Sequence, residues 1–405
     1  MSGHIDWPRV CLHGQYSIAA AQIEYRGVPL DVDTLGAILE GWDSIQARLI
    51  EAVDASYGVY EGTSFRVERF ERYLIANSIA WPRLPTGRLD LSDETFKAMS
   101  QIHPQLARLR ELRTSLSQLR LSKLSVGSDG RNRCLLSMFH SITGRNQPSN
   151  SRFIFGPSTW LRGLIRPPDG WGLAYIDWCQ QEFGIAAALS CDQRMMDAYN
   201  SGDPYLCFAQ QAGGVPADAT KLSHALEREQ FKQCVLATQY GMQAESLAVR
   251  INQPVARARE LLSLHRSAYP DFWAWSDRVV NQALLGKRLW TTFGWQLHVE
   301  ADPNTRSLRN FPMQANGAEM LRLASNRLIQ EGVRVCAPIH DAILIEAPLA
   351  ELETTTTHAQ SVMRKASAIV LGGFELSSEI KIVRSPDPPC LRSQTTQSPK
   401  YQSPW

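Results

Sequence analysis

Two carboxylates lie close together where an apolar run ends. The run GWGLAYIDW finishes with Asp177 and Trp178, and Glu182 opens the next apolar stretch, EFGIAAAL. The first run predicts a compact strand and the second a helix. An aspartate at the C-terminal end of a strand faces solvent and is rigidly held, as a ligand of a divalent cation must be. Many strands end in aspartate for turn chemistry alone, so this pair must be interpreted together with other segments.

A second segment, REQFKQCVLATQYG, carries two cations and a phenol along one helical stripe. Arg228, Lys232, Leu236 and Tyr240 are spaced four residues apart, so they lie on one slowly turning face. Arginine offers a bidentate fork to phosphate and lysine a point charge, so the stripe could meet a triphosphate at one end and a base at the other. An ordinary solvated basic face is the alternative, although it explains the closing Tyr-Gly pair less easily.

A third segment, CAPIHDAILIEAP, places His340 and Asp341 between two apolar runs. This pattern predicts a β-hairpin, and Pro338 within the first run predicts an edge strand or a bulge. Burying a carboxylate there is costly unless it binds a cation or a charged partner. A turn aspartate without function is the alternative interpretation.

The elements that must position these residues are mostly helical. Apolar residues recur at helical spacing in four stretches, residues 15–56 with a break at Gly27–Pro29, 93–124, 222–241 and 254–286. The segment LLSMFHSITGRNQPSNSRFIFGP instead alternates short β-like runs with turn residues. From Ser385 the tail is rich in Ser, Pro, Thr and Gln, which predicts disorder.

Composition narrows the class of protein. The chain has 405 residues, a formal net charge of +2 and 44% hydrophobic residues, which is ordinary for a globular protein of two or three domains. Residues 101–170 hold 11 Lys/Arg and only 3 Asp/Glu, so one basic block could neutralise phosphates. No signal peptide or membrane span is predicted, and eight scattered cysteines predict reduced thiols rather than disulfides or a zinc site. We therefore expect a cytoplasmic protein, from a bacterial or a phage-infected cell.

In order and spacing, the three segments resemble motifs A, B and C of family A DNA polymerases. Two weaker elements of the same family also fall in the expected order, the TGR sequence before motif A and NFPMQANGAEM before motif C. The matching residues are Asp177, Gln180 and Glu182; Arg228, Lys232, Tyr240 and Gly241; His340 and Asp341; Thr143–Arg145; and Gln314. The resemblance runs from about residue 17 to residue 385.

The resemblance implies an α+β right-hand fold with an antiparallel palm sheet, a helical thumb and helical fingers. It implies five segments: an N-terminal and thumb-like region (1–125), a first palm part (126–200), fingers (201–287), a second palm part (288–385) and a tail (386–405). About 15 residues precede the thumb-like helices, so we expect no 3′–5′ exonuclease domain and no proofreading.

The same resemblance implies nucleotidyl transfer from dNTPs to a primer with two Mg²⁺ ions, by a monomer bound to primer-template DNA. Asp177, Asp341 and the Trp178 backbone carbonyl would bind the metal ions, and Lys232 would join the two aspartates in catalysis. The residues expected to bind the nucleotide are Arg228, Lys232, Leu236, Tyr240, Glu182, Gln180 and Tyr205. Those expected to bind DNA are Arg145, Gln314, His340, Arg113, Arg120 and Lys123.

The chain departs from the family pattern at four positions. Leu236 replaces an aromatic residue that packs on the incoming sugar, and Ala342 replaces a glutamate after the motif C aspartate. Trp295 stands where an arginine usually contacts the template, and Tyr205 stands where many relatives have a histidine. These changes bear on rate and sugar selectivity and spare both aspartates.

Two other functions stay open at this point. A single-subunit RNA polymerase would agree with the aliphatic Leu236, but it would carry a small residue in place of Glu182. A non-catalytic nucleic-acid-binding module would need neither paired aspartates nor the Arg228 and Lys232 cations. DNA synthesis is the favoured interpretation.

Overall fold

A computed structural model describes residues 7–118, 124–156, 159–300 and 302–385. These residues form two compact units. Unit 1 consists of the described parts of Met1–Arg26, Leu136–Gln147 and Asp169–Ser385, and unit 2 of those of Gly27–Leu135 and Pro148–Pro168. This division does not follow the predicted boundaries at residues 125 and 200, and the predicted tail 386–405 lies outside the described residues.

Unit 2 is built from short helices around an aromatic core. Its Phe70 packs against Trp81 and Phe96 with ring centroids 5.0 and 5.4 Å away. Its strands pair antiparallel, β1 with β4 and β2 with β3. After α1 (Trp7–Arg26) of unit 1, the elements of unit 2 are β1 (Val28–Pro29), α2 (Val32–Glu40), α3 (Trp42–Asp54), β2 (Tyr60–Glu61), β3 (Ser64–Phe65), α4 (Val67–Ala76), α5 (Asp93–Ile102), α6 (Ala107–Gln118) and β4 (Arg131–Asn132).

Unit 1 combines a sheet with most of the longer helices. Its remaining helices are α7 (Gln181–Ser190), α8 (Gln193–Asn200), α9 (Pro204–Gln211), α10 (Ala225–Gln239), α11 (Ala244–Ile251), α12 (Val255–Ala268), α13 (Pro270–Gly286), α14 (Thr305–Gln330) and α15 (Leu352–Val370). Its strands are β5 (Trp171–Trp178), β6 (Arg288–Trp290), β7 (Gln296–His298), β8 (Arg334–Ile339), β9 (Ala342–Pro348) and β10 (Ser378–Arg384). Strands β6 and β7 form a separate antiparallel pair.

The main sheet of unit 1 is antiparallel with the strand order β10-β5-β9-β8. Strand β5 is apolar because it is central, and Leu173 and Ile176 are fully buried. Strands β8 and β9 form the predicted hairpin, and Pro338 lies on the edge strand β8, next to a register shift between Val335 and Ala337. The predictions of a strand ending at Trp178, a helix after it and a hairpin at His340 are all confirmed.

The helical predictions hold with local differences. Helix α1 ends at Arg26, so the break predicted at Gly27–Pro29 is confirmed. Helices α5 and α6 cover the predicted stretch 93–124 as far as Gln118, and residues 119–123 lie outside the described part. Of the helices in the described ranges, none is long and apolar enough to cross a membrane. Cys11, Cys179, Cys191, Cys207 and Cys234 are free thiols.

The β-like runs predicted for residues 135–157 are wrong. The segment Arg133–Gly156 contains no strand, and Ser137 and Phe139 adopt left-handed backbone angles of φ 47° and 61°. Such angles break a strand because β structure requires a negative φ. The backbone instead bonds locally and to side chains, as where Leu136 N donates to Glu24 Oε1 over 2.7 Å. This irregular segment carries the TGR sequence.

Candidate active site

The sheet register brings Asp177 and Asp341 together. Asp177, near the end of β5, pairs directly with Ala342, the first residue of β9. Asp341 precedes Ala342, and its backbone carbonyl accepts a hydrogen bond from Trp178 N over 3.1 Å. His340 takes φ 51° in the two-residue turn and remains exposed. The antiparallel pairing therefore makes one site from residues far apart in the sequence.

The two carboxyl groups share a partly buried environment. Burial, followed by the neighbouring Asp341, raises the pKa of Asp177 to about 7, and the two side chains are hydrogen-bonded to each other. Burial also raises the pKa of Asp341. Oδ1 of Asp177 is buried and has no hydrogen-bond partner among the described residues. A buried oxygen without a partner beside a second carboxyl is a position where a divalent cation would replace the shared proton.

The donor set of this site is small. Within the described ranges, no group of three or more His, Cys, Asp or Glu side chains is arranged to hold a metal ion. Ala342 is fully buried and offers no carboxylate, as the sequence indicated. Mg²⁺ is usually bound through one or two carboxylates and retains several waters, so two aspartates fit that ion.

Glu182 lies in the first turn of α7 and is held by donors from two other elements. Arg145 Nη2 lies 3.3 Å from Glu182 Oε1, and Tyr240 is hydrogen-bonded to the same carboxylate. Burial, followed by Glu182, raises the pKa of Tyr240 to about 12, so its hydroxyl stays protonated as a donor. Gln180 caps α7 in a left-handed conformation, φ 39°, which makes the sharp turn between β5 and α7.

The predicted stripe lies along α10 and its C-cap. Arg228, Lys232 and Leu236 are half-buried on the helix, and Tyr240 follows its last turn with 44% exposure. Lys232 Nζ is 3.6 Å from Glu229, an exposed contact that contributes little. The prediction that Arg228, Lys232 and Leu236 lie along one helix is confirmed, and Tyr240 is the C-cap residue of that helix.

Arg228 has a partner that the sequence analysis missed. Its Nε donates to Asp203 Oδ2 over 2.5 Å, and its guanidinium lies 5.5 Å from the ring centroid of Tyr205. Asp203 also caps α9 by accepting from Leu206 N. The Asp-Pro pair before α9 is a helix-start signal in the sequence, but nothing local indicates that the same carboxylate reaches Arg228.

The two groups of residues are electrostatically connected. Arg145 lowers the pKa of Asp341, and Glu182 contributes to raising the pKa of Tyr205, although burial is the largest influence on both groups. The structure thus brings Asp177, Asp341, Glu182, Arg145 and Tyr240 into one site and connects it to Arg228 and Tyr205.

The remaining residues predicted to contact DNA stay predictions. Gln314 lies half-buried on α14. Arg113 belongs to unit 2, where its guanidinium lies between the rings of Phe65 and Phe96, 4.2 and 4.5 Å from their centroids. Arg113 thus contributes to the packing of unit 2, and its predicted contact with DNA stays a prediction. Arg120 and Lys123 lie outside the described residues.

The chain is similar in sequence to known DNA polymerases. The family model of DNA polymerase family A matches residues 93–385. The thermostable DNA polymerase I of Thermus thermophilus is 27% identical over 85% of this chain and 44% of its own length. The DNA polymerase of Mycobacterium phage L5 is 24% identical over 87% of this chain and 59% of its own. The chain thus spans less than two thirds of these relatives.

A solved structure shares the fold. It is the POL domain of Pol1 from M. smegmatis in complex with DNA primer-template and dNTP, with a TM-score of 0.76 and 20% identity over 92% of this chain and 69% of that one. The predicted α+β polymerase fold is confirmed by this similarity. With a family match over most of its length and a polymerase fold, the chain belongs to DNA polymerase family A.

Proposed function

We propose that this chain is a template-directed DNA polymerase that adds dNTPs to the 3′-hydroxyl of a DNA primer. The meeting of Asp177 and Asp341 at the end of a central strand carries this proposal, because a binding module needs no paired, half-buried carboxyls. Membership of family A and a structural neighbour solved with DNA primer-template and dNTP support the same activity.

Asp177, Asp341 and the Trp178 backbone carbonyl would hold two Mg²⁺ ions, which when bound activate the primer hydroxyl and neutralise charge on the triphosphate. The two carboxyls are half-buried, and Oδ1 of Asp177 has no hydrogen-bond partner among the described residues, so it is available as a metal ligand. Both carboxyls ionise when a cation compensates their mutual repulsion, and the hydrogen bond between them is then given up.

Arg228 and Lys232 bind the triphosphate. Without nucleotide, Asp203 neutralises Arg228, so a triphosphate has to compete with that carboxylate for the guanidinium. The guanidinium has five N–H donors, so it can turn part of its fork toward phosphate while Tyr205 supports its face. Within the described ranges Lys232 forms one ion pair, the weak contact with Glu229, so its ammonium can donate a proton to the leaving pyrophosphate.

Glu182 selects the sugar. Its carboxylate is fixed by Arg145 and Tyr240, and it would occupy the space that a ribose 2′-hydroxyl needs. Leu236, one turn before Tyr240 on α10, leaves more room beside the sugar than an aromatic ring would. We expect dNTPs to be preferred over NTPs, by a smaller factor than an aromatic residue would give.

Primer-template DNA is the proposed macromolecular partner of a monomeric polymerase. Arg145 and Gln314 would follow the minor groove, with His340 exposed beside the primer end. Positive side chains contacting phosphates supply most of the affinity in such complexes. The assignment of residues 1–125 to a thumb-like region, 201–287 to fingers and 126–200 with 288–385 to a palm belongs to this proposal.

Primer extension on a defined template tests the function. The wild type is compared with Asp177→Ala, Asp341→Ala and the control Asp218→Ala, which removes an exposed carboxylate between α9 and α10. Extension should require Mg²⁺, persist in the control and disappear in both site variants, while duplex binding is retained in all four proteins.

The same assay separates the alternatives. Extension with NTPs but not dNTPs would identify an RNA polymerase, the function that the aliphatic Leu236 favours. Duplex binding without extension by either nucleotide set would identify a non-catalytic module. Full activity of Asp177→Ala would refute the assignment of the site.

A further inference from the structure

A charged pair is buried beneath the segment that carries Arg145. Glu319 and Arg322, one turn apart on α14, are 0% and 2% exposed, and Arg322 Nη2 lies 2.9 Å from Glu319 Oε2. Thr291 Oγ1 donates to Glu319 over 2.8 Å, and His13 Nε2 lies 3.5 Å from it. Such a pair adds little stability compared with apolar residues of the same size, so its presence calls for another explanation.

The pair reaches the TGR turn directly. Arg322 Nη1 donates to the backbone carbonyl of Gly144 over 2.6 Å, and Gly144 precedes Arg145. The guanidinium therefore contacts both the Glu319 carboxylate and one backbone oxygen of the turn. This contact is a charge-assisted hydrogen bond in a dry environment, where such bonds are strongest.

An aromatic pair, Trp295 and Phe139, also packs at the turn and lies close to the Arg322 guanidinium. Trp295 stacks on Phe139 with ring centroids 5.5 Å apart, and its Nε1 donates to the Ile142 carbonyl over 2.9 Å. A Cβ on Gly144 would come within 3.0 Å of the Trp295 ring, and Gly144 has φ +71°. The turn is thus held at two carbonyls in a backbone conformation that suits glycine.

We propose that Arg322, neutralised by Glu319, is a positioning residue that fixes the Gly144 turn so that Arg145 reaches Glu182. This inference rests on the proposed polymerase function. The path consists of one hydrogen bond from Arg322 to Gly144, one peptide unit and the 3.3 Å contact between Arg145 and Glu182. Loss of Arg322 would leave Arg145 attached to a turn without its anchor, and Glu182 would keep only Tyr240 as a donor.

The test uses the double variant Glu319→Gln/Arg322→Met, which removes both charges and leaves no unpaired ion in the core. The matched control is Glu346→Gln/Arg334→Met, which removes a cross-strand ion pair between β8 and β9. The ratio of dNTP to NTP incorporation efficiencies should fall roughly 10- to 100-fold in the first protein, the loss of about one charge-assisted contact. It should not change in the control.

A double-mutant cycle with Arg145→Ala separates positioning from general damage. If Arg322 acts through Arg145, the pair substitution should change the ratio no further once Arg145 is alanine, whereas independent effects would multiply. Independent multiplication, or an unchanged ratio in the pair variant, would overturn the inference even when the wild type extends primers normally.

Hydrogen exchange gives a readout that does not need activity. Amides of residues 139–147 should exchange faster in the pair variant than in the wild type and in the Glu346→Gln/Arg334→Met control. Unchanged exchange would overturn the inference. A wild type that extends no primer would refute the polymerase proposal alone, and the exchange experiment would still decide whether Arg322 holds the turn.

Discussion

Removing the Asp177 carboxylate should stabilise the metal-free protein at neutral pH. The pKa of Asp177 is raised from 3.8 to about 7 by burial and then by Asp341. Between these two pH values the folded state keeps a proton that the unfolded state has released. The free energy of unfolding therefore falls as the pH rises through this window. Asp177→Asn removes the titrating group and should flatten this dependence.

The size of the effect follows from the shift. A difference of about 3 pKa units corresponds to about 4 kcal/mol as an upper limit. Asp177 is only partly buried and shares its proton with Asp341, so solvent screening and coupling reduce the expected difference to about 1–2 kcal/mol. In a chain of this length, that amounts to a melting temperature difference of roughly 1–2 °C.

Thermal unfolding in EDTA at pH 5, 6, 7 and 8 measures this difference. The melting temperature of Asp177→Asn should rise relative to that of the wild type as the pH increases, whereas Asp218→Asn, which changes an exposed carboxylate, should follow the wild type. Adding Mg²⁺ at pH 8 should then stabilise the wild type and the control but not Asp177→Asn. Parallel pH profiles for all three proteins, or equal stabilisation by Mg²⁺, would refute the reasoning.

Three further outcomes are expected. Lys232→Ala should lower the incorporation rate about 10²–10³-fold in single-turnover kinetics, and Arg228→Ala should weaken triphosphate binding as well; wild-type rates in both would make the stripe a solvated face. Glu182→Ala should reduce the ratio of dNTP to NTP efficiencies and Leu236→Phe should increase it, and an unchanged ratio in Glu182→Ala would locate sugar selection elsewhere. Arg113→Ala should lower the melting temperature, because its guanidinium packs against two aromatic rings, and an unchanged salt dependence of duplex binding would refute the DNA contact predicted for this residue.

The sequence was sufficient to predict the elements that carry the two aspartates. An apolar run ending in Asp177 and two apolar runs around His340 are local patterns, and local patterns determine which residues form strands. Pro338 further indicated the edge strand because proline cannot donate to a ladder. The pairing of Asp177 with Ala342 places the two aspartates together. This meeting was predicted only from the family resemblance, because no local pattern shows which strands will pair.

The contacts of the basic side chains could not be predicted in the same way. Arg228 and Asp203 are separated by 25 residues, and Arg322 and Gly144 by 178, so only the packing of helices determines these partners. The ring contacts of Arg113 were not predicted either, because a basic residue on a polar helix gives no sign that aromatic rings from other elements will pack against it. The irregular segment around Phe139 was misread because left-handed backbone angles override β propensity.

Glu182 receives its two donors from different parts of unit 1, and this arrangement ties sugar selection to nucleotide binding. Arg145 comes from the turn held by Arg322, whereas Tyr240 comes from the end of α10, the helix that also carries Arg228. A movement of α10 that frees Arg228 from Asp203 for a triphosphate would also move Tyr240 against Glu182. The Arg145 contact, anchored in the core, would then keep the carboxylate in place while the other donor adjusts. Sugar selection should therefore depend more strongly on the anchored turn than on α10.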